Sequence, residues 1–269
     1  MSGYTTGVTC SASPATEPTM TSARNFLVRG LLAGLVAGSV AFGVAYLVGE
    51  PSVNASIALE DSAHGGGGAE LVPRSLQSTV GLLTGTLVAG VTLGGLVGVI
   101  TAFALGRLGR LGVRGVSVSV AAIGFVSVSL LPFLAYPPNP PAVGHSETIG
   151  ARTALYFTML AISIIAAVTA VLVGRKLADR WGAWYATLAA IAGYLVVMGA
   201  AIALLPTYNE VPAHFPATVL YEFRVASLVT QLALWGTLAV ILAELLHRMQ
   251  PHADREIIEP AYAEQLPLT

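Results

Sequence analysis

Six runs of apolar residues, each about as long as a bilayer is thick, decide what this chain can become. They fall at about residues 26–48, 80–105, 115–135, 153–173, 183–205 and 225–246. A helix needs about 20 mostly apolar residues to cross the hydrocarbon core. Each run is apolar all round rather than on one face, as lipid demands. Only 10% of the 269 residues are charged, and mean hydropathy is +0.75, whereas soluble domains carry about 25% charged residues. The reading is an all-α integral membrane protein with six transmembrane helices. The third run is the least regular, because Ser117–Ser119 alternates with valines in a strand-like way. Its length and short flanking loops still favour a span.

Residues 1–24, rich in Ser, Thr and Pro, read as a disordered cytoplasmic tail without the basic start and cleavage site of a secretory signal. Met20 is an alternative start. Residues 25–247 form the six-span domain and residues 248–269 a cytoplasmic C-terminal tail. Cys10 is the only cysteine, so neither an internal disulfide nor a multi-thiolate metal site is available. The net charge of -1 gives no reason to expect nucleic acid as a partner.

The basic residues orient the spans. Arg24, Arg29, Arg107, Arg110, Arg114, Arg175, Lys176, Arg180, Arg248 and Arg255 fall on one side, and only Arg74, Arg152 and Arg224 on the other. Basic loops stay inside, which places both termini in the cytoplasm. Three long connections then face outward: Gly49–Ser75, the proline-rich stretch around Tyr136–Thr153, and Pro206–Arg224. Each ends in one arginine, and these are 78 and 72 positions apart. The second and third both open with Leu-Leu-Pro, at Leu130–Pro132 and Leu204–Pro206. A period in the seventies fits three repeated two-helix hairpins whose outer loops converge on one site. Glycines at 30, 34 and 38, and again along the second span, let helix backbones approach closely.

One histidine falls in each outward loop, at His64, His145 and His214, and each has a carboxylate near it: Glu60 and Asp61, Glu147, and Glu210. Imidazole with carboxylate suits a divalent first-row metal such as Co²⁺, Ni²⁺ or Zn²⁺. Glu60 and His64 share a face if that stretch is helical. Pro137, Pro138, Pro140 and Pro141 exceed what ending a helix requires and predict a stiff, shaped loop. Asn139 and Asn209 add amide oxygens. No ionisable residue lies near a bilayer midplane, which counts against a proton-coupled pump within this chain alone. No nucleophile elbow, zinc-protease or phosphate-loop pattern occurs, so no enzymatic activity is expected.

The stretches VRGLLAGLVAG, GEP, AIALE, LLPFLAYPPNPPAVG, TIGARTALY, LLPTYNEVPAHFPATVL and FRVASL, spanning about Arg24–His247, resemble the CbtA family of bacterial membrane proteins, described as probable cobalt transporter subunits. The family-like positions are Glu50, Pro51, Glu60, Pro137–Pro141, Thr148, Ile149, Arg152, Asn209, Glu210, Pro212, Phe215, Pro216 and Arg224. The resemblance implies cobalt uptake linked to cobalamin metabolism. It also implies a multi-pass location in a bacterial plasma membrane and a small one-span, histidine-rich partner of the CbtB type. The family's acidic preference near His145 and His214 shifts weight toward the carboxylates Glu60 and Glu210.

The candidate metal ligands are therefore Glu60, His64, Asn139, His145, Glu210 and His214. Glu50, Arg152 and Arg224 are the expected loop braces. Co²⁺ enters as cargo, with no resident cofactor. The alternative reading is a membrane scaffold that binds a partner and conducts nothing.

Overall fold

The computed structural model describes residues 19–64, 72–109, 111–144 and 146–249, apart from the side chains of residues 19–22, 63, 64 and 146. The helices follow the apolar runs. Helix α1 (Thr19–Val44) continues through a π-helical stretch, Ala45–Gly49, into α2 (Glu50–His64). A short α3 (Arg74–Leu76) and a π-helical stretch, Gln77–Gly81, lead into α4 (Leu82–Ala104). Helix α5 (Val113–Gly124) passes through a third such stretch, Phe125–Leu130, into α6 (Leu131–Ala135). A 3₁₀ turn, Ser146–Thr148, precedes α7 (Ile149–Leu204), and α8 (Ala217–His247) follows. The described residues contain no strand, so the alternating run at Ser117–Ser119 is helical. Its hydroxyls need not seek a neighbouring strand: Ser117 Oγ donates to the Val113 carbonyl at 2.8 Å, within its own helix.

Among the described residues, five helices are long and apolar enough to cross a membrane: Ala23–Ser62, Arg74–Ala104, Val113–Ala135, Ile149–Leu204 and Ala217–His247. The sequence predicts six, and the difference lies in α7, where the fourth and fifth runs are joined. Its 56 residues would extend about 84 Å if straight, far beyond a hydrocarbon core of about 30 Å. The element is not straight. Gly182 sits at φ 77°, ψ 159°, a region that only glycine adopts without strain. The two arms on either side of it fold back on each other. Ser163 Oγ and the Tyr194 hydroxyl, one on each arm, lie 2.8 Å apart in a buried hydrogen bond. Met159, Ala166 and Ala167 of the first arm join Tyr194, Met198 and Ala201 of the second in one buried cluster. Trp181, Trp184 and Tyr185 surround the bend and are exposed, as aromatic rings are at a membrane–water interface.

The first long connection also departs from expectation. Gly49–Ser75 is helical as far as His64, where a loop is predicted. Proline sets a helix-compatible φ near a helix start and disrupts only further in. Pro51 is the second residue of α2, and beyond it the segment holds neither Pro nor Gly until Gly65. Ser56 Oγ, fully buried, donates to the Ser52 carbonyl at 2.9 Å.

A separate cluster holds α1, α4, α5 and α8 together through residues such as Phe26, Val97, Val116, Trp235 and Leu238. The seam between α1 and α4 is made by backbone. A Cβ added at Gly30, Gly34, Gly90 or Gly94 would fall within 3.0 Å of a main-chain oxygen of the facing helix, so these positions accept glycine alone. At the end of the bundle where the short basic connections lie, Arg29 Nη1 donates to the Leu245 carbonyl at 2.6 Å. A cation is favoured there by the last turn of α8. Glu244 pairs with Arg114 at 2.7 Å and Arg248 at 2.9 Å. Helix α7 stands apart from this cluster and packs mainly against α6, the adjoining π-helical stretch and the 3₁₀ turn.

Candidate functional site

The opposite end carries a cavity of about 350 Å³ between the second and third long connections. Proline shapes its wall. Pro140 is fully buried and anchors a turn in which the Val143 N–H donates to the Pro140 carbonyl at 3.3 Å. Ala142 and Gly144 both have positive φ, at 66° and 125°, and so reverse the chain toward α7. At Gly144 a side chain is excluded twice over: by the backbone conformation, and because a Cβ would lie 2.8 Å from both terminal nitrogens of Arg152. The loop backbone thus lies directly on a guanidinium.

Two arginines tie the connections together. Arg152, in the first turn of α7, reaches across to Glu210, with Nη1 3.1 Å from Oε2. The other Glu210 oxygen accepts a short hydrogen bond from the Thr148 hydroxyl. The carboxylate is 7% exposed and Arg152 27%, so the pair is well shielded from water. Among the described residues, Arg152 Nε is buried without a hydrogen-bond partner. Arg224, near the start of α8, donates from Nη2 to Asn139 Oδ1 at 3.0 Å and from Nε to the Pro138 carbonyl at 3.4 Å. Tyr136 closes the arrangement by donating its hydroxyl to the Pro206 carbonyl at 2.9 Å. Burial first, and the charge of Tyr208 second, hold the Tyr136 phenol above its ordinary value, so it remains a donor.

Of the expected ligands, the structure brings Asn139 and Glu210 to this cavity, and each already accepts from an arginine. Glu60 is exposed on α2, and His214 is exposed in the turn before α8; neither lines the cavity. The side chain of His64 and the whole of His145 lie outside the described residues. No group of three or more His, Cys, Asp or Glu side chains suited to a metal occurs among the described residues. The first connection has its own brace: Arg74 pairs closely with Glu50 and donates from Nε to Asn54 Oδ1 at 3.1 Å. Among the described residues, the second and third connections line the cavity and the first does not.

Sequence reasoning missed Thr148 as a partner of Glu210, and Tyr156 as a wall of the cavity. Thr148 stands among the family-like positions, but nothing in its neighbourhood points to a carboxylate 62 positions away. Tyr156 is one aromatic ring in an apolar run. A second cavity, about 400 Å³, adjoins the first. The two share Tyr136, Pro138 and Tyr156, and the second extends along Ser129, Ser227 and Gln231. Ser129 Oγ accepts from Trp235 Nε1 at 2.9 Å and donates to Gln231 Oε1 at 3.3 Å.

The family model for CbtA, described as probable cobalt transporter subunit, matches residues 23–247. The chain belongs to the CbtA family. That match spans the five long apolar helices found among the described residues and the residues that line both cavities. No match was found among curated proteins or among solved structures. The family's description is of a probable transporter subunit and names no enzymatic activity, and a subunit implies a partner.

Proposed function

We propose that this chain is the membrane subunit of a cobalt uptake system, linked to cobalamin metabolism and working with a small one-span partner of the CbtB type. The family match over residues 23–247 carries the reading. Two further observations support it. The arms of α7 are antiparallel and each is long enough to span, which with the four other long helices supports a reading of six spans; in that reading they sit in a bacterial plasma membrane with both termini inside. The cavity between the second and third connections then faces outward. It adjoins a second cavity, where Ser129, Ser227 and Gln231 stand beside Phe133 and Tyr156.

In this reading the outward loops form the entry, and Glu60, His64, His145, Glu210 and His214 are the groups able to meet a metal ion. Asn139 and Glu210 act at the cavity wall, and Arg152 and Arg224 hold them in place. Ser129, Ser227 and Gln231 supply neutral oxygens deeper in, where a bare charge would be costly.

Uptake of radioactive cobalt decides the matter, measured in cells expressing this chain alone and then with its small partner. Uptake with both and not with one supports a two-part carrier. No uptake in either case sinks the transport reading and leaves a partner-binding scaffold. A C-terminal reporter that reads out on the outer face would overturn the six-span topology.

A further inference from the structure

The charges around the first cavity do not suit a free cation. Its wall holds two guanidiniums, Arg152 and Arg224, and one carboxylate, Glu210. Glu210 is engaged by Arg152 and Thr148. Arg224 has only neutral partners among the described residues, an amide oxygen and a main-chain carbonyl. Arg152 keeps a buried Nε–H with no acceptor among the described residues. The described wall therefore has a net positive charge. It also offers the guanidinium of Arg224 and the tyrosines Tyr156 and Tyr208. Such a wall repels a divalent cation and attracts an anion, and a guanidinium fork matches a carboxylate in particular.

We propose that this cavity binds a small organic carboxylate, with Arg224 as its principal contact. On the uptake reading, on which this second step rests, the metal arrives as its carboxylate complex. Carboxylate oxygens are good ligands for divalent first-row metals, and a complex of such a metal with a tri-anionic carboxylate keeps one negative charge. A volume of about 350 Å³ lies in the range of small-molecule sites, roughly 300–1,000 Å³. Metal coordination then comes from the carboxylate, and the protein recognises the anionic outside of the complex. This accounts for a cavity wall whose one carboxylate is held by an arginine.

The test is calorimetric titration of the full-length purified chain in detergent with sodium citrate, with cobalt citrate, with cobalt chloride and with sodium phosphate. Citrate or cobalt citrate binds, and cobalt chloride does not bind at the same concentrations. Binding by citrate alone identifies the free carboxylate as the ligand, and binding by the cobalt complex alone identifies the chelate. Arg224→Gln weakens binding at least tenfold. Glu210→Gln removes negative charge and tightens it, a gain that misfolding cannot imitate. Binding of cobalt chloride that is lost in Glu210→Gln overturns the proposal. So does phosphate binding as tight as citrate, or no binding by citrate in either form. The titration is independent of uptake. Citrate binding in a chain that carries no cobalt into cells would end the transport reading and leave the carboxylate site standing.

Discussion

Arg152 and Glu210 stand 58 positions apart in sequence, yet Nη1 and Oε2 lie 3.1 Å apart across the mouth of the cavity. The pair joins the start of α7 to the connection that leads out of it. It is more shielded than a surface ion pair, which contributes about 0.2–1 kcal/mol. It also stops short of full burial, where removing one partner costs about 3–5 kcal/mol. A double-mutant cycle with Arg152→Gln and Glu210→Gln, read from unfolding in denaturing detergent, gives a coupling of about 1–2 kcal/mol by interpolation between those cases. Additive effects of the two changes would show that the pair does not hold the loops.

Gly182 makes a second prediction. Nothing lies within 4 Å of a Cβ added there, so space is no obstacle. The obstacle is the backbone at φ 77°, ψ 159°. Gly182→Ala costs about 1–3 kcal/mol, seen as a lower unfolding midpoint in detergent. Unchanged stability would mean that the bend tolerates another geometry.

The seam between α1 and α4 separates two kinds of glycine. Gly94→Ala drives a methyl group into the backbone of α1 and sharply lowers the amount of folded protein in membranes. Gly43→Ala meets nothing within 4 Å and gains helix propensity, by up to about 1 kcal/mol. Folded yield after detergent extraction distinguishes the two. Equal yields would place the seam elsewhere.

How much of this was open to sequence reasoning follows from which forces are local. The apolar runs, the glycine stripes and the irregular proline loop each follow from residue type at short range, and all three lead to the features observed. The joining of two runs into α7 was hidden because RKLADRWGAW, from Arg175 to Trp184, has helix-forming residues on both sides of a single glycine. The reversal itself was legible from the basic connector between the two runs, and the Ser163–Tyr194 contact bears it out; that the helix continues up to a single glycine was not. The loop arginines were visible as isolated charges, but their partners were not. Asn139 precedes Arg224 by 85 positions, and no periodicity links an amide to a guanidinium over that distance. The histidines drew attention for the same reason the arginines did, yet exposed His214 takes no part in the cavity.

Cysteine scanning tests the deeper cavity. With Cys10→Ser as background, the chain has no other thiol. Ser227 lines the cavity, whereas Leu232, on the same helix, is 49% exposed and does not. A membrane-impermeant anionic thiol reagent added outside cells modifies Ser227→Cys and spares Leu232→Cys, since a thiol facing lipid stays protonated and unreactive. Equal labelling, or none, would deny that the cavity is a wet extension of the outer one.

The glycine seam also divides the molecule mechanically. Where two helices touch through main chain there are no rotamers to exchange, so α1 with α4 is built to serve as a stator. Helix α7 has no such seam with that body; its Ser163–Tyr194 bond binds its own arms to each other. It meets the rest mainly through α6 and the π-helical stretch Phe125–Leu130, a type of turn often found at functional sites. Both cavities lie along that boundary, with Tyr156 of α7 facing Arg224, Ser227 and Gln231 of α8 across them. A tilt of the α7 hairpin as one rocker arm would change the shape of both cavities and leave the stator untouched.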